Sequence, residues 1–96
     1  MPVSDDDAEL CWLCGRPLGR RVEYHHPVPK SRGGRETLAV HPICHRTIHA
    51  TFTNAELARS YATAEALCGH PDIARFIDWI ADKPPDFHAP TRRAKR

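Results

Sequence analysis

The chain has no apolar run approaching the roughly 20 residues of a membrane span, so no membrane-crossing helix is expected. Its opening, Met1 to Asp7, is acidic and lacks the apolar h-region of a secretory signal. A cytoplasmic, reducing setting is therefore the expectation, and structural disulfides are not. There is no internal repeat and no low-complexity tract. With 96 residues and 10.9 kDa there is also little chain from which to build a core. A domain of this size buries only about 60–65% of its unfolded surface, so one domain held by a staple is expected. Ligand chemistry, in contrast, is plentiful: four cysteines and seven histidines, which in a reducing compartment point to metal binding.

The formal net charge is only +2, but it is unevenly spread. Residues 1–10 carry −4, residues 11–46 carry +5, residues 47–88 carry −3 and residues 89–96 carry +4. The basic block coincides with the block richest in Cys and His. That coincidence suits a polyanionic partner, although a solvated basic face would have the same composition.

Three segments follow from this. Residues 1–9 are expected to be a disordered acidic lead-in, residues 10–83 one domain, and residues 84–96 a flexible basic tail that starts at Pro84-Pro85. Within the domain, 11–50 carries the motifs and 51–83 reads as helical scaffold. Val22, Tyr24 and Val28 form β-prone pieces, and Thr37 to Val40 forms a second run; Lys30-Ser-Arg-Gly-Gly-Arg35 is the glycine loop between them. With a helix from about Ile43 this makes a ββα unit. Thr53 and Glu56 make a capping box, with Asn54 as part of that helix start. Leu57, Tyr61, Ala64 and Leu67 then share a helical face, and Gly69 suits a left-handed helix end. Pro71 opens a last helix striped by Ile73, Phe76, Ile77 and Ile80. Trp79, Cys68 and His70 read as structural.

Three constellations carry chemistry. Cys11-x-x-Cys14-Gly15 and His41-x-x-Cys44 are two pairs of soft ligands, the donor set zinc takes in closed four-coordinate sites. A redox-active C-x-x-C, or three thiolates with a group other than His41, are the alternatives. His25-His26 closes the first β-prone run, where one ring could reach a metal and the other a reacting water. His45 and His49 stand at i and i+4 on a helix, so they share a face and can bind one ion together.

Taken together, Cys11-x-x-Cys14, Tyr24-His25-His26-Pro27-x-Pro29-Lys30-Ser31-x-Gly33-Gly34 and His41-Pro-x-Cys44-His45-x-x-x-His49 resemble the HNH endonucleases. The double histidine, glycine loop and closing H-x-x-x-H are similar to those of the nuclease colicins and the HNH domains of group II intron proteins. The resemblance covers residues 11–50, about 40 of 96. It implies an α+β fold, a small zinc-stapled ββα-metal core followed by about two packing helices. It implies His26 as the general base that deprotonates a water, a role suited to a side chain that titrates near neutral pH. It implies His25, His45 and His49 as ligands of a catalytic divalent metal, Mg²⁺, Mn²⁺, Ni²⁺ or Zn²⁺. It implies Cys11, Cys14, His41 and Cys44 as ligands of a separate structural Zn²⁺. Lys30, Arg32 and Arg35 would clamp DNA phosphates.

One position departs from the family pattern. The middle Asn usually lies nine residues before the first helix histidine, and here that residue is Glu36. Its carboxylate could tie down the loop or add a metal ligand, or the change could mark a weaker enzyme. The expected function is a metal-dependent DNA endonuclease of weak sequence preference, nicking or cutting both strands, as a monomer or a dimer. The alternative is a non-catalytic, zinc-stapled nucleic-acid-binding module. An adaptor acting through Phe76 and Trp79 would rest on aromatic residues alone.

Overall fold

The two β-prone runs pair as an antiparallel hairpin, and the helix that follows packs across it. The structure, a computed structural model, describes residues 9–89. In order it contains β1 (Glu23–His25), a short 3-10 turn (Lys30–Arg32), β2 (Leu38–Val40), α1 (Pro42–Thr51), α2 (Asn54–Ser60), α3 (Ala64–Cys68) and α4 (Pro71–Ile80). This is the expected small α+β architecture. Among the described residues no helix is long and apolar enough to cross a membrane.

The hairpin register pairs Glu23 with Val40, Tyr24 with Ala39 and His25 with Leu38. Strand side chains alternate between faces, so Glu23 and His25 share one face and Tyr24 takes the other. Tyr24 is exposed and His25 is fully buried, which makes the Glu23/His25 face the one covered by α1. The loop between the strands depends on two glycines. Gly33 sits in the left-handed region at φ 89°, which a side chain would strain. At Gly34 a Cβ would collide with the Val28 carbonyl, so the loop can close on the end of the hairpin only without a side chain there.

Helix α1 begins at Pro42, which gives up no useful hydrogen bond at that position, with His41 as its extended N-cap. Its two threonines return their hydroxyls to the helix: Thr47 donates to the Ile43 carbonyl and Thr51 to the Thr47 carbonyl, both at 2.8 Å. The capping box of α2 forms as expected, the Glu56 amide donating to Thr53 Oγ1 at 3.1 Å and the Thr53 amide to Glu56 Oε1 at 2.8 Å. The core joins Val40, Ile43 and Ile48 to Phe52, Leu57, Leu67, Ile73 and Ile80 and reaches Cys11 and Leu13.

Three details differ from the sequence reading. The stripe Leu57, Tyr61, Ala64, Leu67 is split between α2 and α3, because Thr63 accepts a hydrogen bond from the Ala66 amide and starts a new helix. Gly69 is right-handed, at φ −75° and ψ −15°, since the chain turns directly from α3 into α4 without a left-handed exit. Residues 84–89 pack back onto the cysteine knuckle: the buried Arg16 guanidinium donates to the Lys83 and Pro84 carbonyls at 2.7 and 2.9 Å. The Arg20 amide donates to Asp86, and Phe87 lies against the core. Residues 90–96 of the expected tail, and 1–8 of the expected lead-in, lie outside the described residues. His70 takes a local role as expected, its Nδ1 accepting from the Asp72 amide at 3.1 Å to cap α4.

Candidate metal centres

Cys11, Cys14, His41 and Cys44 converge, with one ligand atom of each lying within 4.8 Å of all the others. The knuckle is a tight turn in which the Gly15 amide donates to the Cys11 carbonyl at 2.9 Å, with Gly15 at φ 79°. The Trp12 amide donates to the Ala39 carbonyl at 3.0 Å, which fastens the knuckle to the hairpin. His41 and Cys44 come from the start of α1. The His41 Nε2–H donates to the Pro17 carbonyl at 2.9 Å, leaving Nδ1 to face Cys14 Sγ at 3.4 Å and Cys44 Sγ at 3.8 Å. A zinc tetrahedron with bonds of about 2.0–2.3 Å has edges of roughly 3.4–3.8 Å, so these separations fit one ion. The Cys11 thiol is held well below its usual range, because the Cys14 and Cys44 thiols donate to it and the Cys14 and His41 amides point at it. Cys44, donating to the other two sulfurs and buried, is pushed up. Crowded, desolvated thiols of this kind lose their conflict when a cation replaces the shared protons. The Cys₃His set could hold a structural metal ion, and zinc is the ion whose preferred donors and geometry it matches.

The second cluster is His25, His45 and His49, again with ligand atoms within 4.8 Å of one another. A strand contributes His25 and one face of α1 contributes the other two, as the i, i+4 spacing requires. The three rings meet edge to face, with centroids 4.8–5.4 Å apart. His25 is fully buried, and neither of its ring nitrogens has a hydrogen-bond partner. A buried imidazole without a partner is costly, and a bound cation would satisfy one of its two nitrogens. Burial, with the neighbouring His49, His45 and His26 rings, pushes its pKa down to about 4. Desolvation of the inner side of its ring, with the neighbouring His45, lowers that of His49 as well. His25 is thus held neutral, the form that ligates metals. Trp12 stacks on His25 with centroids 5.5 Å apart, so the knuckle that carries Cys11 and Cys14 also backs the second centre.

The remaining candidates lie around this pair of centres. His26 follows β1 directly, half-buried, and belongs to neither cluster. Lys30, Arg32 and Arg35 are exposed on the loop. Glu36, also exposed, belongs to neither cluster and lines an open pocket with Pro27, Val28, Gly33, Gly34, Arg35 and Ala62. The acidic residue that does reach the histidines is Glu23, whose Oε1 lies 2.9 Å from His45 Nδ1. Sequence reasoning passed over it, although its position two residues before His25 places it on the same strand face.

A protein of Bacillus subtilis (strain 168), the uncharacterized protein YisB, is 38% identical to this chain over 89 residues, covering 91% of this chain and 88% of its own length. No protein-family model and no solved structure matches the chain.

Proposed function

This chain belongs to the family of the Bacillus subtilis protein YisB, and for it we propose a metal-dependent endonuclease of the HNH type, hydrolysing phosphodiester bonds in DNA. The observation that carries the proposal is the convergence of His45 and His49 on the buried His25, neither of whose ring nitrogens has a protein partner. A closed structural site beside a second, half-open histidine site is more than a simple zinc-stapled binding module requires. In this reading Cys11, Cys14, His41 and Cys44 hold structural zinc, and His25, His45 and His49 would hold a divalent cation. That cation supplies stabilisation of the negative charge that develops on the phosphate. His26, one residue beyond the buried ligand His25, takes the proton from the attacking water. Exposed Lys30, Arg32 and Arg35 hold the DNA backbone across the loop.

The test is cleavage of supercoiled plasmid by tag-free, zinc-loaded protein with added Mg²⁺, Mn²⁺, Ni²⁺ or Zn²⁺. Relaxed or linear product should appear only with a divalent ion, stop with EDTA, and fall by roughly 10²-fold or more in His26→Ala. DNA binding with no cleavage under any of these ions would instead favour the binding module.

A further inference from the structure

We propose that Glu23 is a positioning residue for the histidine centre, its carboxylate accepting a hydrogen bond from His45 Nδ1 so that Nε2 becomes the ligating atom of His45. The inference rests on the reading of His25, His45 and His49 as metal ligands. Its basis is a contact between elements: Glu23 Oε1 and His45 Nδ1 are 2.9 Å apart, 22 residues apart in the chain. The ion pairs of Lys and Arg among the described residues, Arg75 with Asp72 and Lys83 with Asp82, join near neighbours in sequence. The geometry has a simple origin. A strand places residues i and i+2 on one face, and a helix places residues i and i+4 on one face. Where β1 meets α1, the pair Glu23/His25 therefore opposes the pair His45/His49, and Glu23 falls opposite His45.

The same device operates in the first centre. There the Pro17 carbonyl takes the His41 Nε2–H and leaves Nδ1 for the sulfurs. At His45 the roles of the two nitrogens are exchanged. A neutral imidazole has one N–H and one lone pair, so fixing the proton on one nitrogen commits the other to the metal. A carboxylate partner also raises the basicity of the ligating nitrogen, and losing such a partner typically costs 10- to 100-fold in metal affinity. An ordinary exposed ion pair would have no such effect, since it contributes little even to stability.

The test uses tag-free protein with zinc retained in the cysteine site, titrated calorimetrically with Ni²⁺. Glu23→Ala should weaken Ni²⁺ binding roughly 10- to 100-fold at unchanged zinc content. Glu23→Gln keeps a neutral acceptor and should fall between the two. Independently of any added ion, ¹⁵N spectra of the neutral rings at pH 8 should show His45 as the Nδ1–H tautomer in wild type and shifted toward Nε2–H in Glu23→Ala. Ni²⁺ affinity within about twofold of wild type in both variants, with His45 tautomer unchanged, would overturn the proposal. So would loss of a carboxylate oxygen from the Co²⁺ ligand-field spectrum of Glu23→Gln, which would make Glu23 a ligand itself. If wild type binds no ion beyond its zinc, or His49→Ala binds Ni²⁺ equally well, the histidine centre itself falls. The tautomer result still reads the Glu23–His45 bond in that case.

Discussion

The two clusters share a helix and differ in almost every other respect. The cysteine centre is closed: Cys11, His41 and Cys44 are buried, amides point at the Cys11 sulfur, and the spare His41 nitrogen is bonded to Pro17. The histidine centre is half-open: His25 is buried without polar partners, His45 is half-buried and His49 is exposed. A site whose donors are all internally organised suits a permanent structural ion. A site with one side toward solvent leaves room for a substrate and a water, as catalytic metal sites must. Cys44 and His45 are consecutive, so one helix start aims its side chains at both centres. Closing the first should help to shape the second, and Trp12 stacked on His25 adds another connection.

The largest effect should come from breaking the closed site. Cys44→Ser should lose zinc and unfold the domain or lower its Tm steeply, because structural zinc in small domains binds with about 10–16 kcal/mol, much of it folding free energy. Elemental analysis and thermal denaturation would show this, and a variant with wild-type zinc and melting would reject the assignment. His49→Ala should do the reverse: cleavage should drop by roughly 10²-fold or more, about 2.7 kcal/mol, with zinc content retained and Tm changed little.

A subtler contrast is the response to acid. His25 ionises at about 4 when folded and near 6.5 when free, so the unfolded chain binds more protons between those values. Above about pH 6.5 the ring is neutral in both states and pH adds no further cost, and stability is lost as pH falls from there toward 4. Wild type without an ion at the histidines should lose about 2 kcal/mol more than His25→Phe between pH 7 and pH 5, measured by denaturant unfolding. Equal losses would mean that His25 is protonated in the fold. The smallest expected effect lies outside both centres: changing Lys30, Arg32 and Arg35 together to Ala should flatten the log–log salt dependence of DNA binding by up to about three units. An unchanged slope would place the phosphate contacts elsewhere.

The local parts of this molecule were legible because they are periodic. C-x-x-C with Gly15, the i, i+4 pair His45/His49, the Thr53–Glu56 capping box and Pro71 at a helix start all depend on residues within one turn of one another, and all form. The break at Thr63 was missed for a related reason: an apolar stripe continues across it, and only the cap shows that the backbone stops. Glu36 drew attention by its place in the family pattern, whereas Glu23 forms the contact. Nothing near Glu23 in sequence indicates His45, because that pairing needs the hairpin register and the packing of α1 on β1.

The sequence by itself determined which side chains could ligate metals, their grouping into two sets, and the ββα order that carries them. Those properties follow from side-chain chemistry and spacing, except that joining His25 to His45 and His49 rested on the resemblance to the HNH endonucleases. Only the tertiary structure decided which nitrogen of His41 faces the sulfurs, which acid holds His45, that Trp12 backs His25, and that residues 84–89 return to Arg16. The physical reason is that a hydrogen bond or ring contact between distant segments needs both partners placed to within a few tenths of an ångström. That precision comes from sheet register and helix packing acting together, and neither is written in any one stretch of the chain.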